Sequence, residues 1–137
     1  MSIYIKSIIR PEGDKCFCQV NHEENTLNCF VYGNEEQLSH QLSEEIQVEI
    51  GFDNVIAAEA ILEFNDSKSS ITQSVGELAH NIKGRVHSIT KGEISDIYIQ
   101  NGPEFICITS NEWKLKPNIG DGVLVKITGL CFYPSNI

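Results

Sequence analysis

Two stretches decide the fold: Ile46-Gln47-Val48-Glu49-Ile50 and Gly122-Val123-Leu124-Val125-Lys126-Ile127-Thr128. The first alternates apolar and polar residues with a period of two, the mark of a strand buried on one face. The second keeps Val123, Val125 and Ile127 at the same period. They lie 77 residues apart, with Val48 matching Val125 and Ile50 matching Ile127. One β unit written twice would give this pattern.

The same offset matches Ile5-Lys6 to Ile82-Lys83, Asn34-Glu35 to Asn111-Glu112 and Leu38 to Leu115. That makes seven identities across residues 5–50, where ordinary residue frequencies give about three. Each match falls at the same place in an order of strand, hairpin, linker and strand.

Other strand signals fill in that order. Ile3 to Ile9 is rich in β-branched residues, and Pro11-Glu12-Gly13-Asp14 punctuates it as a turn. Cys16 to Val20 places Cys16, Cys18 and Val20 on one face and Phe17 on the other. Leu27 to Tyr32 returns as its hairpin partner, with Cys18 opposite Cys29. Asn34 and Gln37 have capping-box spacing for a short helix, on which Leu38 and Leu42 would share a face. Val55 to Phe64 reads as a strand, with a helix as the alternative given its Ala57-Ala58-Glu59-Ala60 centre. In the second half, Ile82 to Ile89, Ile94 to Gln100, Phe105 to Thr109 and Gly122 to Leu130 read as strands, with Asn101-Gly102 as a hairpin turn.

Asn65-Asp66-Ser67-Lys68-Ser69-Ser70 is the strongest linker signal in the chain. The expected organisation is a first unit at 1–65, a linker at 66–80 and a second unit at 81–137. The fold class expected is all-β with one short helix. It is either two tandem small barrels or one barrel or sandwich built from two similar halves.

The order of a long strand, a hairpin, a short helix and two further strands resembles the OB-fold, a small Greek-key barrel. The second half carries the closer likeness, in Ile82-Lys83-Gly84-Arg85-Val86 and in the Gly120-Asp121-Gly122 lead-in to Val123–Gly129. Against that pattern the second half is one strand short. The segment from Ile71 to Val75, a strand of the first half, or another chain would complete it. Edge pairing between two copies of the chain, a homodimer, is one such completion.

Charge separates the halves. Residues 1–70 hold four basic and thirteen acidic side chains, and residues 71–137 hold six of each, so the net −9 resides in the first half. Such a surface repels phosphate and attracts basic partners. The expected partner surface comprises Glu23, Glu24, Glu35, Glu36, Glu44, Glu45, Glu49 and Asp53. A small, acidic immunity protein that masks a basic toxin has this composition, so the expected function is a binding module for a basic protein. The alternative follows from the OB likeness. Tyr98, Phe105 and Trp113, with Lys83, Arg85, Lys114 and Lys116, supply stacking and basic residues for a single-stranded nucleic acid.

Catalysis is not expected. The chain has no nucleophile elbow, zincin helix motif, P-loop or dinucleotide fingerprint. Cys16, Cys18, His22 and Cys29 are soft ligands within fourteen residues. One residue separates the first two, however, where zinc sites use a tight turn of two to four. Buried free thiols are therefore expected, with no metal and no cofactor. The odd count of five cysteines argues against a disulfide framework. No apolar run reaches the ~18 residues of a membrane span, and Met1–Lys6 lacks the pattern of a signal peptide. A cytoplasmic protein is expected.

Overall fold

The computed structural model describes residues 1–66, 69–74, 78–90, 96–102, 104–109 and 116–135. The chain is all-β with little helix. Its elements are β1 (Ser2–Glu12), β2 (Lys15–His22), β3 (Asn25–Tyr32), α1 (Glu35–Ser39), β4 (Glu45–Gly51), β5 (Asn54–Ile61), β6 (Ser70–Gln73), β7 (Ala79–Thr90), β8 (Asp96–Asn101), β9 (Glu104–Thr109), β10 (Gly122–Thr128) and β11 (Cys131–Pro134). Among the described residues no helix is long and apolar enough to cross a membrane.

Two compact units form. The first takes residues 1–53, 72–79 and 129–137, and the second takes 54–71 and 80–128. The first is a closed five-stranded barrel in the order β1-β2-β3-β11-β4. Antiparallel pairing of β1 with β4 closes it, and β11 runs parallel to β3. The second is a sheet in the order β5-β10-β7-β8-β9, with β6 on β7. Within the stretch expected as linker, Ser70–Gln73 therefore forms a strand, and Ala79 and His80 begin β7.

Each unit takes its fifth strand from the other half of the sequence. The last strand of the first half, β5, pairs with β10, and the last strand of the second half, β11, pairs with β4. The registers are equivalent over the first two pairs, after which a bulge between Lys126 and Ile127 shifts the second. Gly51 lies opposite Cys131 and Ile50 opposite Phe132; in the other unit Thr128 lies opposite Asn54 and Ile127 opposite Val55. Every position in the first set has its counterpart 77 residues away. Of the three ways to complete the second unit, the structure uses a strand of the first half, and Ser70–Gln73 adds to the same sheet.

The repeat extends to a bulge. Ile5 pairs with Val20, Ser7 with Gln19 and Ile8 with Cys18; correspondingly, Val86 pairs with Ile99, Ser88 with Tyr98 and Ile89 with Ile97. The first strand thus repeats at 81 residues and the hairpin at 79, and only the last two strands keep 77. The counterpart of Ile5 is Val86, not Ile82. Length differences have been absorbed in the connections, where they cost least. Asn111, Glu112 and Leu115, matched in sequence, lie outside the described residues.

Local signals act as their chemistry dictates. Asn34 Oδ1 accepts from the Gln37 amide at 2.8 Å, and Gln37 Oε1 accepts from the Asn34 amide at 3.2 Å, completing the capping box. The helix ends at Ser39, so Leu42 falls beyond it and is exposed. The β2–β3 hairpin turns on Glu23-Glu24 alone, and Glu23 takes φ +53° to allow it. Gly129, between β10 and β11, has φ +74°, and a Cβ there would collide with the Asp53 carboxylate.

The two interiors trade volume. Cys18 pairs with Cys29 where the second unit pairs Ile97 with Ile108. The first barrel also buries Phe132 fully, beside Val31, where its counterpart in the second unit is the partly exposed Val55.

Phe132→Ala should lower the unfolding free energy by about 3–5 kcal/mol in urea titration. Ile56→Ala, on the other exchanged strand but half exposed, should cost under ~1 kcal/mol. Equal losses would refute this account of the core.

Candidate partner-binding surfaces

The charge follows the structural units more sharply than the sequence halves. The first unit carries three basic and eleven acidic residues, a net −8, and the second carries seven and eight, a net −1. Glu23, Glu24, Glu35, Glu36, Glu44, Glu45, Glu49 and Asp53 all belong to the first unit, and all are exposed. None forms an ion pair with a described residue. Glu45, Gln47 and Glu49 point outward from β4 because Ile46 and Val48 point into the barrel. Glu35 and Glu36 occupy the first turn of α1.

Exposed tyrosines stand beside these carboxylates. Tyr4 lies opposite Glu45, and Tyr133 lies opposite Glu49. The Tyr133 ring stacks on Tyr32, with centroids 5.7 Å apart and planes at 27°. It rests over Gly51, where an added Cβ would come within 2.8 Å of the ring. The Tyr133 hydroxyl ionises less readily than usual, chiefly because of the neighbouring Cys131 thiol, with Asp53 and Asp14 adding to the effect.

On the outer face of β1, β2 and β3, Arg10 and Lys15 are already used, while Lys6 is exposed. Arg10 lies over the Phe17 ring at 4.5 Å and Lys15 over the Phe30 ring at 4.3 Å. The two rings meet edge to face at 5.2 Å. Sequence reasoning missed the Tyr32–Tyr133 pair, since only the strand exchange brings Tyr133 beside β3.

In the second unit, Lys83, Arg85 and His87 lie on β7, Tyr98 on β8 and Phe105 on β9. His87 and Phe105 meet edge to face at 4.7 Å, and Phe105 is exposed. Arg85 is committed elsewhere. Its guanidinium donates to Asp66 Oδ1 at 2.9 Å, to the Gly120 carbonyl at 2.7 Å and to the Phe64 carbonyl at 3.2 Å. Lys116 is exposed, and Trp113 and Lys114 lie outside the described residues. β9 pairs on one side with β8, and no described strand pairs with its other edge.

Cys16, Cys18, Cys29 and His22 are all buried in the first unit. Among the described residues no three His, Cys, Asp or Glu side chains are arranged to hold a metal ion. Burial pushes the Cys18 thiol up to about 12, and the nearby Cys16 and Cys131 add to this. Burial raises Cys16, Cys29 and Cys131 as well. Cys107 is the one exposed thiol, raised by partial burial while a hydrogen bond with Tyr98 pulls it the other way.

No family model, curated protein or solved structure matches this chain.

In native protein one thiol should react with a disulfide reagent far ahead of the other four, at a rate that rises with pH as Cys107 ionises. Cys107→Ser should abolish the fast phase. A fast phase surviving in that variant would contradict the burial of the others.

Proposed function

We propose that this protein is a non-catalytic binding module that engages a basic protein through the acidic surface of its first unit, in the manner of an immunity or inhibitor protein for a toxin. The observation that carries this reading is the placement of charge: net −8 in one unit, with eight exposed carboxylates unpaired by any described residue. Uncompensated carboxylates on one body steer a cationic partner and raise its association rate. The order β1-β2-β3-β11-β4 with its parallel β3–β11 pair supports reading the barrel as OB-like. It serves as a scaffold in the cytoplasm.

A second reading rests on a separate observation. The exposed His87–Phe105 pair, with Tyr98 on the adjacent strand, offers stacking surface for single-stranded nucleic acid on the near-neutral unit. Arg85 contributes little to it, because its donors are held by Asp66, Gly120 and Phe64.

Affinity capture from a nuclease-treated lysate of the source cells should retain a basic protein. Its association rate should fall at least tenfold between about 50 and 500 mM salt. Capture lost on nuclease treatment, with direct binding to an oligonucleotide, would favour the second reading.

A further inference from the structure

We propose that the stacked Tyr32–Tyr133 pair, with Glu49 and Asp53 beside it, is an arginine-recognition point for the basic partner. This rests on the binding-module reading and gives it a location.

Four observations support the placement. Two aromatic rings on the outer face of the first barrel take cations: Arg10 covers Phe17 and Lys15 covers Phe30. Among the described residues no cation covers the Tyr32–Tyr133 pair, although its rings are 41% and 45% exposed. Lys15, opposite Tyr32 in the β2–β3 ladder, is turned onto Phe30 instead. Second, carboxylates gather at this end of the barrel. Glu49 is directly opposite Tyr133, and Asp14 and Asp53 lie near enough to act on its hydroxyl.

Third, the backbone is shaped for the ring, because Gly51 leaves the space that Tyr133 occupies. Fourth, the other copy of the fold lacks the arrangement. Seventy-seven residues away the sequence has Ile56 for Tyr133 and Lys126 for Glu49, and a bulge there sets Lys126 opposite Ala57 instead of Ile56. The same scaffold has acquired an aromatic and an acid in one unit and neither in the other.

The chemistry selects arginine. A guanidinium is planar, stacks on a tyrosine face and reaches a neighbouring carboxylate with paired donors. A lysine ammonium gains the charge attraction alone. Tyrosine suits such a contact, giving a large rigid face with little entropy to lose.

The test uses the full chain and a synthetic twelve-residue arginine-rich peptide, with an all-lysine peptide and a twelve-nucleotide single strand as comparisons. Amide chemical shifts should move most at Tyr32, Glu49, Gly51 and Tyr133. Tyr133→Ala, and separately the double variant Glu49→Gln/Asp53→Asn, should weaken arginine-peptide binding about tenfold. Glu23→Gln/Glu24→Gln removes the same charge at the opposite end of β3 and should weaken it no more than about twofold. The lysine peptide should bind about threefold more weakly.

Should Tyr133→Ala prove unstable, the carboxylate pair still decides, since those side chains are exposed. If the peptide binds and both double variants weaken it equally, the recognition point is overturned while the acidic-surface reading stands. If neither basic peptide binds, both fall. Shifts from the oligonucleotide alone, centred on β7–β9, would move the function to the second unit.

Discussion

Backbone hydrogen bonds from β11 to β3 and β4, and from β5 to β10, are the constraint on which the rest depends. A five-stranded barrel with a strand missing leaves two rows of donors and acceptors without partners, a liability that sheet proteins avoid. Here each half of the sequence supplies the strand that the other lacks. The chain passes between the units four times, at 53–54, 71–72, 79–80 and 128–129. Cutting it in the middle therefore does not yield two complete bodies.

The exchange also explains how two copies of one pattern came to differ. Cores are close-packed, and small changes in volume are felt. With cysteines at 18 and 29, the first barrel also buries Phe132 fully. With isoleucines at 97 and 108, the second has the smaller, partly exposed Val55 at the matching position. Outside the cores, constraint relaxes. The first unit there holds nearly all the net charge, and the exchange sets Tyr133 beside Tyr32 and opposite Glu49.

Much of this was legible in the residues themselves. Alternation marked β4 and β10, the Asn34–Gln37 spacing marked the helix start, and the hairpin placed Cys18 opposite Cys29. These are local signals, set by side-chain period and capping chemistry. The offset of 77 located the repeat but missed its slippage to 79 and 81, because an alternating pattern matches itself at every second residue. The exchange itself left no local trace, since hydrogen-bonding capacity along a strand does not name a partner. The Tyr32–Tyr133 pair was hidden for the same reason. The eight carboxylates were readable as exposed, being charged and unaccompanied by bases nearby. That Arg85 is held by Asp66 and two carbonyls was not, because those partners come from distant turns.

The most direct test of this account is a solution measurement of interstrand proton contacts by NMR. Contacts should join Gly51 to Cys131 and Ile50 to Phe132, and equally Asn54 to Thr128 and Val55 to Ile127. Contacts joining residues 45–51 to 54–61, with matching ones between 122–128 and 131–134, would mean that each half folds back on itself. That result would contradict the exchange and the tyrosine pair that depends on it.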